Sequence, residues 1–283
     1  MTLSPSIGHV EPRERSVGRV ELAFKRRATT TVIAHMHQAG CGKVRLPRPT
    51  DAQHAEAVLI NLAGGLTGGD RLEWRVAWQP DTAATVSGQA AEKIYRAVGK
   101  SVATIDTCLD VDTNALALWL PQETILFNRA RLVRRNRFNV APGGRLLAVE
   151  ATIMGRQAMG ETVTAGFIDE EFEVFYGDRL VLADRQRFQG ALGELLARPA
   201  VAGGARGFVS LLYVGYDAAE RLGTIRHALE GLPAAATSPD LTVVLIRWMT
   251  AEPAGLRTHM MAALLALQSA LDLPPRLPRV WSC

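Results

Sequence analysis

Apolar and polar positions alternate along much of the first two thirds of the chain. Val20, Leu22 and Phe24 alternate with Glu21, Ala23 and Lys25, and Leu72, Trp74, Val76 and Trp78 with Glu73, Arg75 and Ala77. A period of two gives each segment one greasy and one polar face, which predicts half-buried strands. The same reading predicts strands at 30–37, 58–61, 84–87, 102–111, 115–120, 131–140, 145–153, 171–176 and 180–183, punctuated by Gly, Pro, Asn and Asp. Short strands at roughly ten-residue spacing imply a sandwich, a barrel or a coiled stack of sheets. No fixed-period repeat chooses among them.

After about residue 189 the period changes. Segments 208–216 and 241–249 read as strands, but helices lie between and after them. Leu222, Ile225, Leu229 and Leu232 share one face of a helix opened by Asp217, with Glu220 three residues on, and closed by Gly231 and Pro233. A second helix spans 253–271, with Pro253 in its first turn and a stripe of Leu256, Met260, Leu264, Leu267 and Leu271. Ala262, Ala263, Ala266 and Ala270 widen that stripe, so it must be covered, by its own sheet in preference to a partner helix. The expected architecture is mainly β. It is an elongated stack of short strands, β-helix-like or sandwich-like, over 17–188, after a polar tail at 1–16. A small α+β part at 189–283, carrying two helices, packs on that body.

Composition adds limits. With 283 residues, 48% hydrophobic and 21% charged, the chain can bury a large core. Its longest apolar runs, such as 241–246 and 260–267, fall far short of the roughly 20 residues that span a bilayer, which predicts a soluble protein without membrane contact. Residues 1–20 lack the continuous apolar core of a secretory signal. Cys41, Cys108 and Cys283 are odd in number and widely spaced, which suits neither a disulfide framework nor a zinc pair and predicts a cytoplasmic location. The net charge is +4, and Arg129, Arg131, Arg134, Arg135 and Arg137 run along a predicted strand. That cluster reads as a solvated strand face or a surface for an acidic protein, in preference to nucleic acid.

The most distinctive segment is Asn61 to Asp70, where Gly64-Gly65 and Gly68-Gly69 let the backbone turn tightly or approach another chain. It is no phosphate cradle: no Lys-Ser or Lys-Thr follows, a strand and not a helix comes next, and Asp70 would repel the anion. Segment 89–96 gathers Glu92, Lys93, Tyr95 and Arg96, and Glu92 favours the charged form of its lysine neighbour, so charge pairing in a sheet is the simpler reading. Glu123 lies in the apolar run 120–127 and, if buried, needs an arginine or a metal. Arg156 and Glu161 flank a turn, or line a polar channel. His35 and His37, two apart on a predicted strand, share one face near Cys41; imidazole suits nickel, but no third ligand is evident. An alternative to a binding role is a β-rich enzyme acting on a small molecule through Lys93, Tyr95 and Glu123.

Five segments in order, NLAGGLTGGD at 61–70, QAAEKIYR at 89–96, LPQETILF at 120–127, GRQAMGE at 155–161 and LPRVW at 277–281, resemble the UreD family, called UreH in some organisms. The resemblance covers about residues 15–281. It implies a non-catalytic chaperone that joins UreF and the GTPase UreG on apo-urease, with nickel arriving through UreG and, where present, UreE. GTP hydrolysis then belongs to UreG, in keeping with the missing phosphate loop. The resemblance also implies an internal polar passage and no tightly bound cofactor, only nickel in transit. A passage needs weak, dispersed ligands, which points to Asp70, Glu92, Glu123, Glu150 and Glu161, with His35 and His37 as further candidates. Lys93, Tyr95 and Arg156 complete the expected lining.

Overall fold

The computed structural model describes residues 14–48, 53–156 and 159–282. Most of the predicted polar tail, together with Gln157, Ala158 and Cys283, lies outside the described residues.

In chain order the strands are β1 (Val17–Arg27), β2 (Thr30–Gly40), β3 (Gly42–Arg45), β4 (Ala55–Asn61), β5 (Arg71–Trp78) and β6 (Ala83–Gly88). Then come β7 (Glu92–Ile94), β8 (Ala103–Val111), β9 (Leu116–Leu120), β10 (Thr124–Leu126), β11 (Arg131–Val140), β12 (Arg145–Met154), β13 (Gly166–Tyr176) and β14 (Arg179–Gly190). A short helix α1 (Leu192–Ala197) precedes β15 (Gly207–Val214), α2 (Ala218–Ala228), β16 (Ala235–Asp240), β17 (Val243–Thr250) and α3 (Leu256–Ala270).

The chain winds as a coil with two broad walls. β1, β5, β8, β11 and β13 stack in parallel on the first wall, and β2 and β14 close its edges antiparallel. β4, β6, β9 and β12 stack in parallel on the second wall, which β3 closes at one end and β15, β17 and β16 extend at the other. A narrow third wall fills one corner: Thr124 of β10 pairs with Glu92 of β7 and Thr152 of β12, and a bridge from Leu66 to Ile94 continues it. Of the two shapes the sequence allows, the body is thus the coiled one. Arg71 pairs with Thr104, Thr104 with Val133 and Val133 with Asp169, so successive coils differ in length. Hence no fixed period is legible.

Side chains from both walls, among them Phe24, Val76, Trp78, Val86, Trp119 and Leu146, fill the coil. The second wall is buried on its outer face as well. There Leu118, Leu147, Val149, Leu211 and Ile246 pack against Ile225 of α2 and Leu256, Met260, Leu264 and Leu267 of α3. This double burial explains why β12 reads as a nearly continuous apolar run, and the α3 stripe is covered by its own sheet, as expected. The last third of the chain therefore supplies strands to the second wall and a helical layer over it.

The first wall instead faces outward with charge. Arg135 lies 3.4 Å from Asp106 and Arg137 3.4 Å from Glu173, while the Arg131 guanidinium sits over the Phe167 ring. The arginine cluster is therefore not one basic stripe: the alternation of β11 turns Arg134 inward and leaves its neighbours paired outside. Four short strands, β3, β7, β10 and β16, and helix α1 escape prediction, being too brief or too polar to display a period. Asp217 does not cap α2 through its side chain; its carboxylate accepts from the Tyr213 hydroxyl at 2.6 Å and from Arg221 Nε at 3.0 Å. Among the described residues no helix is long and apolar enough to cross a membrane.

Candidate functional site

The five distinctive segments, far apart in sequence, meet at the third wall. Asn61 Nδ2 donates to Glu92 Oε1 at 2.9 Å, and the Tyr95 hydroxyl donates to the Gly64 carbonyl at 3.0 Å. Backbone bonds from Leu66 to Lys93 and from Tyr95 to Leu66, both 2.7 Å, stitch the glycine loop to segment 89–96. Gly65 has φ of 148°, and a Cβ there would press on the Tyr95 ring and lie 2.8 Å from the Lys93 carbonyl, so close approach requires glycine. Segment 120–127 joins through Glu92 N to the Glu123 carbonyl and Phe127 N to the Ile94 carbonyl. Gly155 N donates to the Leu126 carbonyl, and Arg156 lies over the Phe127 ring, whose edge meets Tyr95. The C-terminal segment closes the corner: Gln122 Nε2 donates to the Val280 carbonyl at 2.7 Å and Trp281 Nε1 to the Leu120 carbonyl at 3.2 Å.

Behind this corner, between the walls, lies a cavity of about 340 Å³. Glu92 and Lys93 stand at the third wall, Thr107 and Arg134 on the first, and Asn61 and Glu150 on the second. Arg134 is only 2% exposed. Its Nη1 donates to Glu150 Oε2 at 2.7 Å and to Glu170 Oε1 at 2.9 Å, and its Nη2 to Thr124 Oγ1. Trp119 Nε1 donates to Glu150 Oε1 at 3.2 Å. Burial pushes the Glu150 carboxyl above its ordinary range despite Arg134, and burial likewise raises Glu92 against its bond from Asn61. These charges hold their places only because they are paired and hydrogen-bonded.

The polar tract continues away from the corner. Glu150 is in register with Ser210 and Ser210 with Arg247, whose Nε donates to Ser210 Oγ at 3.2 Å and whose Nη2 pairs with Asp184 of the opposite wall. Arg247 is about a third exposed, so this end reaches solvent. A line of polar groups thus crosses an otherwise apolar interior, from Glu92 through Arg134 and Glu150 to Arg247.

Of the residues expected from sequence, Glu92, Lys93 and Glu150 line the cavity, with Asn61 and Gly64 beside them. Others do not. Asp70 accepts from the backbone amides of Thr67 and Ser16 at 2.8 and 2.9 Å and shapes the glycine loop, while Gly68 packs against Ser101 and Gly69 turns with φ of 97°. Glu123 is buried and paired with Arg257 of α3 at 3.1 Å, the arginine its apolar setting demands. Arg156 and Glu161 pair with each other at 2.9 Å on the surface turn. Lys93, Tyr95 and Glu123 therefore do not all line the cavity: Tyr95 is bonded to the loop and Glu123 to the helical layer. His35 and His37 are exposed on edge strand β2, His35 lying 3.6 Å from Glu21, and Cys41 follows at a half-buried turn. Among the described residues no three His, Cys, Asp or Glu side chains converge to hold a metal ion.

Sequence reasoning missed Arg134, Glu170, Ser210, Arg247 and Asp184. For Arg134 a signal existed. Leu132, Arg134, Asn136 and Phe138 share the inner face of β11, so two polar residues interrupt an apolar parity.

The family model described as UreD urease accessory protein matches residues 16–282. A urease accessory protein UreD of Rhizobium etli is 40% identical over 269 residues, which is 95% of this chain and 96% of that protein. That of Azorhizobium caulinodans is 39% identical over 271 residues, covering 95% and 97%. A third, from Agrobacterium fabrum, is 41% identical over 203 residues, 72% of this chain and 71% of its own length.

Proposed function

We propose that this chain, which belongs to the UreD family of urease accessory proteins, acts without catalysis as a chaperone that helps insert nickel into apo-urease, together with UreF and UreG in the cytoplasm. The observation that carries this reading is the polar tract inside the coil. Glu92 and Glu150 line a cavity between apolar walls, and the segments that carry the family resemblance assemble the corner in front of it. An ion in transit is served by oxygen donors met in succession, since closed coordination by several ligands at once would hold it. Carboxylates whose protons are retained more strongly than usual, Glu150 buried and Glu92 half-buried, suit such a path: they exchange a proton for a cation and regain it afterwards.

The test is co-expression of urease and its other accessory proteins with this chain or without it, nickel limiting. Nickel content and urease activity should both depend on the chain, and the Glu92→Gln and Glu150→Gln variants should lower both while remaining folded. Full activation without the chain ends the maturation reading; full activation with both variants ends the passage reading.

A further inference from the structure

The guanidinium of Arg134 stands where a cation held by Glu150 and Glu170 would stand. One nitrogen, Nη1, contacts both carboxylates at 2.7 and 2.9 Å, and the other is tied to Thr124. All three charged residues are buried. A divalent ion in a protein interior gathers several oxygens at once, and Arg134 already claims two. Without it, the two carboxylates would face each other in a low-dielectric interior and either take up protons or seize a cation. Asn136, the next inward residue of β11, is 2% exposed and both atoms of its side-chain amide are buried without a partner. Such a group is normally satisfied, and here it offers an acceptor on the same inner face as Arg134.

Resting on the passage reading above, we propose that Arg134 is a positioning residue: a tethered counter-cation that occupies the Glu150–Glu170 site and must move aside before a divalent ion can enter it. Arginine stays charged at any physiological pH, so the competitor is never switched off by deprotonation. It can only be displaced. The consequence is a site that accepts a divalent ion and returns it, because the guanidinium remains attached and competes continuously.

The experiment is equilibrium dialysis of the purified full chain against nickel chloride, with circular dichroism to establish folding. Arg134→Met should bind one Ni²⁺ roughly tenfold or more tightly than the wild type. Arg134→Lys, which keeps the charge, should stay near wild type, and the R134M/E150Q double variant should lose the gain. If Arg134→Met does not fold, Arg134→Gln, which removes the charge but keeps a side-chain donor for Thr124, should gain affinity in its place. Wild-type affinity in a folded R134M or R134Q chain overturns the proposal. The passage reading falls separately, if Glu92→Gln and Glu150→Gln leave urease activation intact.

Discussion

Gln122 and Val280 lie 158 residues apart in sequence and are joined by a 2.7 Å hydrogen bond from the side-chain amide to the backbone carbonyl. The same amide nitrogen reaches the Gln89 carbonyl at 3.1 Å, and its oxygen accepts from Arg257 of α3. One buried glutamine therefore ties the third wall, the helical layer and the C-terminal segment together. Gln122→Ala removes the donor to the Gln89 and Val280 carbonyls and should cost about 1–3 kcal/mol. Urea unfolding would measure the loss, and hydrogen exchange should quicken first in residues 276–282. Unchanged exchange there would mean that other contacts, among them Trp281 with Leu120 and Arg276 with Gln268, hold the segment.

Asp70 serves the backbone. Because its two oxygens accept separate amides, Asp70→Ala should cost about 1–3 kcal/mol, and Asp70→Asn, which keeps one acceptor, less. If both variants keep wild-type stability but lower nickel delivery, the residue handles metal and not the loop.

Asp169 gives a pH dependence with a definite sign. Arg185 donates to both of its oxygens, Nε to Oδ1 and Nη2 to Oδ2, each at 2.7 Å, and holds the carboxyl below its ordinary range. The folded pKa is thus below the unfolded one, so this contribution is complete above about pH 4 and is lost as pH falls through the folded value. Asp169→Asn should flatten the fall of the urea midpoint with acidification below about pH 4. Identical slopes in variant and wild type would assign that fall to other carboxylates.

Leu264 lies wholly buried between α3 and the second wall. Leu264→Ala should cost about 2–5 kcal/mol, the range for a buried leucine truncated in place. Thermal melting would read it, and binding of a hydrophobic dye would reveal whether α3 detaches. A loss below about 1 kcal/mol would mean that the layer collapses onto the gap or packs loosely.

What was legible in sequence follows from how each residue is used. β1 and β5 announce themselves because one face is apolar and the other meets water. β12 is harder to read, since both of its faces are covered and no alternation remains. β7 and β10 are three residues each and show no period at all. The corner was legible as a pattern because its glycines are forced by close contacts such as that of Gly65 with the Lys93 carbonyl. Arg134 was hidden for the opposite reason. A charged residue among four other arginines reads as solvent-facing, and only its parity with Leu132 and Phe138 tells otherwise.

The double burial of the second wall also orders events in time. A ribosome delivers β9 and β12 well before residues 218–270, which cover their outer face. At about 5–20 residues per second the interval is on the order of ten seconds, during which Leu118, Leu147 and Val149 lack their cover. The nascent chain is therefore most prone to self-association just before its final helix emerges, and a synthesis pause or premature stop in that interval would release a body with a bare apolar side.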